Sequence, residues 1–176
     1  MLYQKIFLFG LDSSGKTALS QAMRTGEYDE NQFPTTAFDI KALFLQHFEE
    51  SIEFRVWDAP GQTDYRDLWG EGYKSANLMI FALDTADKER YPEAKEVLMK
   101  VLTDAETRAV ALIFLFHKMD VDASKKNYND AVKFFKGWMK TGGREVYMLK
   151  TSVMQPETMD AIKNTIAQIV EKSRQE

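Results

Sequence analysis

The chain has 176 residues with 23 basic and 27 acidic side chains, a net charge of −4, and hydrophobic residues at 44% of its length. This length favours a single globular domain over residues 1–176. An acidic balance without a basic stripe argues against a nucleic-acid partner. The absence of cysteine excludes disulfides, thiol nucleophiles and cysteine-ligated zinc.

The apolar segments are too short to cross a membrane, and no targeting signal is recognisable. The longest segment, 109–116, has eight residues, against the ~20 that a membrane helix needs. Leu2 stands where N-myristoylation requires glycine, and no C-terminal cysteine is present for prenylation. We therefore expect a cytoplasmic protein without a direct membrane anchor.

Short apolar runs alternate with longer amphipathic ones along the chain. Strands are predicted at 5–9, 78–83, 111–116 and 145–149, and a hairpin at 38–48 and 52–57 with its tip at the polar residues 49–51. Helices are predicted at 17–25, 88–103, 127–140 and 157–172. This alternation indicates an α/β fold with a mostly parallel six-stranded sheet and helices on both faces. Ligands are then expected at the carboxyl ends of the strands.

The first predicted strand leads into Gly10-Leu-Asp-Ser-Ser-Gly15-Lys16-Thr17, a complete G-x-x-x-x-G-K-[S/T] phosphate-loop pattern. In this pattern, backbone N–H groups and the positive end of the following helix surround the phosphates. Lys16 is expected to reach the β- and γ-phosphates, and the Thr17 hydroxyl is expected to ligate Mg²⁺. The residues predicted to surround the nucleotide are Gly10, Asp12, Ser13, Ser14, Gly15, Lys16, Thr17 and Ala18.

A second motif, Asp58-Ala-Pro-Gly61-Gln62, follows the second strand of the hairpin. A carboxylate at the end of a hydrophobic strand is placed to hold Mg²⁺, directly or through water. We expect the Gly61 N–H to face the γ-phosphate and Gln62 to orient the attacking water. An ordinary strand end with a Pro-Gly turn would fit these residues if they stood alone.

Two later segments resemble the base-reading motifs of GTPases. His117-Lys118-Met-Asp120 is similar to N-K-x-D, in which the aspartate accepts two hydrogen bonds from guanine and the lysine stem lies over the base. Residues 150–153 are similar to the T-S-A loop, which adds Ser152 and Val153 to the candidate site.

His117 stands where the N-K-x-D motif has asparagine. A neutral imidazole has one donor and one acceptor, so it replaces only part of the asparagine's hydrogen bonds. This difference implies a weaker affinity for guanine. Because an ordinary histidine has a pKa of about 6.5, it also predicts binding that changes between about pH 5.5 and 7.5.

Over residues 4–170, the chain resembles a small GTPase of the Arf group. The segments that carry the resemblance are GLDSSGKT, GEYDENQFPTTAFDI, WDAPGQTDYRDLW and DTADKERYPEAKEVLMKVL. HKMD and D-x-P-G-Q instead resemble the Rag/Gtr branch, whose C-terminal dimerisation domain is not expected in a chain of this length. The resemblance implies a P-loop NTPase with the small-GTPase (Ras-like) fold.

The resemblance also implies a molecular switch that binds GTP and GDP with Mg²⁺ and hydrolyses GTP slowly, in trafficking or signalling. Gln62 is then catalytic, and the metal ligands are Thr17, Thr35 and Asp58. Thr35 looks like the switch I threonine of these GTPases, with Thr36 as the alternative. Effectors, exchange factors and activating proteins would bind a surface that includes Phe38, Trp57, Trp69 and Tyr73. Gly72 falls where the family has a tyrosine.

Other functions stay open. One is a non-hydrolysing GTP-dependent scaffold, and another is a Rag-like partner in nutrient signalling. An ATP-using P-loop kinase or ATPase is a third, although Asp120 and the lack of an arginine-rich lid argue against it. The residues before Thr35 are Gln32, Phe33 and Pro34. Without an arginine there, we expect intrinsic hydrolysis of order 10⁻⁴–10⁻³ s⁻¹ and acceleration by a partner's arginine.

Two further groups of residues have plainer interpretations. The charged run Asp87-Lys-Glu-Arg90 is interpreted as the start of a helix with charge pairs, not as a catalytic cluster. Phe134, Phe135 and Trp138 are interpreted as one face of a helix, not as a ligand site.

Overall fold

The computed structural model describes residues 4–47, 50–139 and 143–175, which form one six-stranded sheet and the helices around it. The strands are β1 (Gln4–Phe9), β2 (Asp39–His47), β3 (Glu50–Asp58), β4 (Leu78–Asp84), β5 (Ala111–His117) and β6 (Val146–Lys150). The α-helices are α1 (Lys16–Thr25), α2 (Trp69–Tyr73), α3 (Tyr91–Leu102), α4 (Asp122–Met139) and α5 (Pro156–Gln175). Turns of 3₁₀-helix cover Thr63–Leu68, Lys88–Arg90 and Ala105–Thr107.

The strand order is β2-β3-β1-β4-β5-β6, and β2–β3 is the antiparallel pair in an otherwise parallel sheet. Helices α1 and α5 cover one face, where Ile80 and Ile166 lie in the same core cluster. Helices α2, α3 and α4 cover the other face, around Phe81 and Phe114. Burial on both faces explains why the central strands read as continuous apolar runs. The predicted α/β fold, with a mostly parallel six-stranded sheet and helices on both faces, is confirmed.

Three of the differences between predicted and observed boundaries have a clear cause. The hairpin strand β3 already begins at Glu50, which pairs with His47. The predicted tip at 49–51 is therefore too late in the chain, and the residues between His47 and Glu50 lie outside the described ranges. Helix α4 begins at Asp122 and not at 127. The sequence pattern missed its first turns because they are mostly exposed and polar and carry no apolar period. The helix predicted from 88 is divided into a 3₁₀ turn and α3, with Pro92 in the first turn of α3, where proline is tolerated.

Within the described ranges, no helix combines the length and the apolar character needed to cross a membrane.

A substitution of Phe135 tests the packing of the core on the sheet face that α3 and α4 cover. It is fully buried, with its ring centroid 5.2 Å from that of Phe114 and 5.5 Å from that of Tyr91. We expect Phe135→Ala to lower the free energy of unfolding by about 3–5 kcal/mol, because it removes a large buried ring and leaves a cavity. Phe44→Ala is the matched control, since Phe44 is 63% exposed, and it should cost less than about 1 kcal/mol. Equal losses in urea titrations of the two variants would contradict this packing.

Candidate functional site

The predicted phosphate, metal and base segments meet at one edge of the sheet. They follow β1, β3, β5 and β6, whose carboxyl ends share this edge because the four strands are parallel. A cavity of about 350 Å³ opens here. The predicted residues on its wall are Asp12, Ser13, Gly15, Lys16, Thr17, Ala18, Thr35, Gly61, Gln62 and Lys118.

The loop between β1 and α1 has the backbone conformation that its glycines allow. Gly10 has a φ of +152°, and a Cβ there would lie 2.4 Å from the carbonyl oxygen of Ala82. Gly15 has a φ of +90°, in the left-handed region that favours glycine. Ser13 has a φ of +61°, so three residues of this loop have positive φ. A side chain at position 10 would therefore push the loop away from β4.

Lys16 folds back inside this loop. Its ammonium donates to the carbonyl oxygen of Leu11 at 2.7 Å and lies 3.4 Å from the hydroxyl of Ser14. Burial lowers the pKa of Lys16 to about 8, although Asp58 and Asp12 oppose the shift. A buried ammonium surrounded by the loop's backbone is placed to contact bound phosphate groups.

Thr17, Thr35 and Asp58 converge beside Lys16. The Thr17 hydroxyl donates to Oδ2 of Asp58 at 2.6 Å and lies 3.1 Å from the Thr35 hydroxyl. Thr36 is exposed and does not line the cavity, so the structure brings Thr35 to this cluster.

Asp58 carries the feature that fits a cation. Its second oxygen, Oδ1, is buried and has no hydrogen-bond partner within the described part of the chain. Burial raises the pKa of Asp58 to about 6, against the opposing effects of Thr17 and Lys16. A buried carboxylate oxygen without a donor is unfavourable unless a cation satisfies it. The hydroxyls of Thr17 and Thr35 beside it complete a set of oxygen ligands that suits Mg²⁺.

No group of three acidic or histidine side chains that could hold a metal occurs among the described residues. Mg²⁺ commonly binds through one or two carboxylates together with substrate phosphates and water. The Asp58 cluster fits that kind of site, in which the protein alone does not surround the ion.

Gly61 packs directly against the phosphate loop. A Cβ at Gly61 would lie 2.5 Å from the backbone nitrogen of Asp12 and 2.6 Å from Nζ of Lys16. The Gly61 carbonyl accepts from the Asp12 N–H at 3.1 Å and from Nε of Arg66 at 2.8 Å. This close contact places Gln62, which is half-buried, on the cavity wall.

His117 and Lys118 connect the loop after β5 to the phosphate loop. His117 is buried, and its Nδ1 lies 2.8 Å from the hydroxyl of Thr151. The far side of its ring lies under Gly15, where an added Cβ would be 3.1 Å from Nε2. Lys118 donates to the carbonyl oxygen of Ser13 and to Asp84, both at 2.6 Å. The segments predicted to read the base and to bind the phosphates therefore form one unit.

Asp120, Ser152 and Val153 lie together next to this unit but are not on the cavity wall. The Ser152 hydroxyl donates to Oδ1 of Asp120 at 2.5 Å, and Val153 is half-buried. The Met119 N–H donates to the Thr151 carbonyl at 3.1 Å, which joins the loops after β5 and β6. Asp120 is exposed, so its carboxylate is accessible to a ligand from solvent.

The predicted titration of His117 is wrong. Burial, and less strongly the adjacent charge of Lys118, lower the pKa of His117 to about 4. The imidazole is therefore neutral between pH 5.5 and 7.5, where the sequence suggested a change. The sequence could not show that this side chain is enclosed between Gly15 and Thr151.

The predicted partner surface is only partly exposed. The prediction that Trp69 lies on this surface is wrong. Trp69 is 3% exposed, and its indole N–H donates to the carbonyl of Pro60 at 2.7 Å, so it belongs to the core. Phe38 and Trp57 are half-buried and meet edge to face at 5.4 Å between centroids. Tyr73 is also half-buried, and its hydroxyl donates to Asp104 at 2.7 Å.

Several site residues were not predicted. The segment between α1 and β2 adds to the wall Tyr28, Glu30, Gln32, Phe33 and Pro34, although only Thr35 was identified there from the sequence. Asp12 forms ion pairs with Arg66 and Arg90, and both arginines also pair with Glu93. The run 87–90 does form a turn at a helix start, as interpreted, but Arg90 also reaches the phosphate loop. No local pattern identifies a contact between residues so far apart in the chain.

A second cavity, of about 390 Å³, lies at the opposite end of the sheet. Lys5, Phe54, Ala111 and Arg144 are among its lining residues, and none of the predicted site residues is. Arg144 donates to the carbonyl oxygens of Thr107 and Val110 beside it. The larger cavity is therefore not where the predicted chemistry lies.

The shifted pKa of His117 makes a prediction about stability. Because its pKa of about 4 in the folded protein is below the unfolded value of about 6.5, the unfolded chain binds more protons between these values. Stability should therefore fall as the pH falls from 6.5 towards 4. Between pH 7 and pH 4.5, the free energy of unfolding of the unmodified protein should fall by about 2–3 kcal/mol more than that of His117→Asn, as measured by urea titrations. Parallel stability curves for the variant and the unmodified protein would contradict the buried neutral imidazole.

Comparisons with known proteins agree with this geometry. The sequence model of the ADP-ribosylation factor (Arf) family matches residues 3–171. ADP-ribosylation factor-like protein 8d of Arabidopsis thaliana is 28% identical over 158 residues, which cover 90% of this chain and 86% of that protein. The structure of the Arl6 BBS3 small GTPase from Trypanosoma brucei, with the bound nucleotide analogue GppNp, superposes with a TM-score of 0.77 at 19% identity, covering 95% of this chain and 98% of that one. This likeness confirms the predicted small-GTPase fold. The chain belongs to the ADP-ribosylation factor family.

Proposed function

We propose that this protein is a cytoplasmic molecular switch that binds GTP or GDP with Mg²⁺ and hydrolyses GTP slowly. The convergence of Thr17, Thr35 and the unpartnered oxygen of Asp58 beside Lys16 supports this proposal most directly. Membership of the Arf family supports a GTP-binding switch in trafficking or signalling. Thr35 comes from a segment without helix or strand, which suits a part that orders around a bound γ-phosphate.

Thr17, Thr35 and Asp58 would hold the ion. When bound, Mg²⁺ would neutralise negative charge on the β- and γ-phosphates. Lys16 and the backbone N–H groups of the loop from Gly10 to Gly15 would bind the phosphates from the other side.

Gln62 is the proposed positioning group for the attacking water, because it lies on the cavity wall directly after the buried Gly61. Arg66 and Arg90 lie nearby, but Asp12 and Glu93 pair with both guanidinium groups. Neither arginine is therefore free to reach the transferred phosphate. We expect an intrinsic rate of order 10⁻⁴–10⁻³ s⁻¹, with acceleration by an arginine from a partner.

Single-turnover phosphate release tests this role. Gln62→Leu should slow the intrinsic rate about tenfold or more, because it removes the group that orients water. Gln168→Leu, at an exposed position on α5, is the matched control and should leave the rate unchanged. A rate near one per second in the unmodified protein would contradict the proposal. No phosphate release at all would favour the alternative of a non-hydrolysing scaffold.

Asp120 is the proposed reader of the base, held by the hydroxyl of Ser152. Its carboxylate would accept from the two guanine N–H groups that adenine lacks, so an unmodified site should prefer GTP over ATP at least about a hundredfold. Asp120→Asn should transfer the preference towards xanthosine triphosphate, in which the amino group is replaced by a carbonyl. Asp122→Asn is the matched control, because Asp122 is an exposed carboxylate two residues away that pairs with Lys125.

A competition panel with guanine, xanthine and adenine nucleotides measures this preference. Equal competition by ATP would favour an ATP-using enzyme. A continued preference of Asp120→Asn for GTP would remove Asp120 from the base site.

Effectors, exchange factors and activating proteins are the proposed partners. The apolar residues accessible to them differ from those predicted, because Trp69 is buried. Ile40 pairs with the half-buried Trp57 across β2 and β3 and is exposed, as are Phe33 and Leu68 elsewhere in the segments before β2 and α2. Exposed apolar side chains of this kind are the proposed contacts for a partner. The resemblance of HKMD and D-x-P-G-Q to the Rag/Gtr branch stays a prediction about partners.

A further inference from the structure

Four charged side chains form one cluster at the edge of the phosphate loop. Oδ1 of Asp12 lies 2.8 Å from Arg90 and 3.5 Å from Arg66. Glu93 pairs with Arg66 at 2.8 Å and with Nε of Arg90 at 2.7 Å. The cluster contains two positive and two negative charges, so its net charge is zero. It joins the phosphate loop, the 3₁₀ turn after Gln62 and the start of α3.

The cluster lies within electrostatic reach of the phosphate-binding lysine. Burial lowers the pKa of Lys16 most, and the charges of Arg66 and Arg90 lower it further, whereas Asp12 raises it. Asp12 itself lines the cavity, and its N–H bonds to Gly61, which packs against Nζ of Lys16. A change of one charge in this cluster would therefore alter the electrostatic energy of bound phosphates.

An ionised carboxylate on the phosphate loop is unfavourable for a triphosphate. The hydrogen bond from Arg90 holds the pKa of Asp12 below its usual value, so the carboxylate is charged at neutral pH. Its repulsion acts more strongly on a nucleotide with a γ-phosphate than on one without, because the additional phosphate adds charge close to Lys16. Some positive charge must oppose Asp12 if the loop is to accept GTP as well as GDP.

We propose that Arg90 is a positioning residue that favours triphosphate over diphosphate binding, because it holds the Asp12 carboxylate to one side and neutralises its charge. This inference rests on the proposed binding of guanine nucleotides. Arg90 is a better test of it than Arg66, because Arg66 also donates to the carbonyl of Gly61 and its removal would disturb that segment. Arg90 belongs to the turn Lys88–Arg90 and bonds to Asp12 and Glu93.

The net charge of the cluster in each variant predicts how the ratio of GTP-analogue to GDP affinity changes. Arg90→Met leaves a net charge of −1 and should lower the ratio of GTP-analogue to GDP affinity by about three- to tenfold. Asp12→Asn leaves +1 and should raise the ratio. The double variant is neutral again and should return the ratio towards that of the unmodified protein. Arg90→Lys keeps the charge and should retain most of the ratio.

The experiment is a titration of the full chain with a non-hydrolysable GTP analogue and with GDP, both in the presence of Mg²⁺. Lys88→Met is the matched control, because this neighbouring cation pairs with exposed Asp130 on α4 and should leave the ratio unchanged. The effect of Arg90→Met should also shrink as ionic strength rises, since these side chains are partly exposed. Thermal unfolding of each variant reports whether it is folded.

The outcomes separate this inference from the proposed function. Tight binding of both nucleotides by the unmodified protein, with an unchanged ratio in Arg90→Met, overturns the role of Arg90 alone. Equal weakening of both nucleotides that Asp12→Asn does not reverse shows a merely structural role and also overturns it. Failure of the unmodified protein to bind either guanine nucleotide overturns the proposed function itself.

Discussion

The hydrogen bond between Thr17 and Asp58 is the interaction on which the site depends. It joins the first turn of α1 to the end of β3 at 2.6 Å, and it exists because β1 and β3 pair in parallel with Leu8 opposite Asp58. The same threonine hydroxyl contacts Thr35, which connects an otherwise irregular segment to the sheet. Since the other oxygen of Asp58 is buried without a donor, a cation there would strengthen the arrangement that already holds three parts of the chain together.

The phosphate loop is the common neighbour of the remaining segments. Gly61 approaches it closely enough to exclude a side chain, and His117 lies under Gly15 on its other side. Lys118 bonds to the carbonyl of Ser13. If a bound phosphate displaced this loop, the segments that contain Gly61, His117 and Lys118 would therefore be displaced as well. The geometry suits a protein in which occupancy of one small loop changes several surfaces.

The sequence predicted the parts of the site that depend on local pattern. The phosphate loop and the Asp58 motif were found because short-range geometry fixes their residue types, and the strands because their burial leaves apolar runs. It could not predict the contact of Arg90 with Asp12, which are separated by 78 positions. Nor could it predict the enclosure that lowers the pKa of His117 or the burial of Trp69. These properties depend on tertiary packing, which has no signature in a short window of sequence.

Gly72 illustrates how one missing side chain changes a surface. A Cβ at this position would lie 2.5 Å from the ring of Phe38 and 2.7 Å from that of Phe7, so Phe38 occupies space that a larger residue would take. Phe38 is half-buried for this reason and ties the segment before β2 to α2. The most exposed aromatic ring of the cavity wall is then Phe33, at 85% exposure, two residues before Thr35. Because Thr35 contacts Thr17, a partner that binds Phe33 would contact the same segment that Thr35 joins to the Thr17–Asp58 cluster.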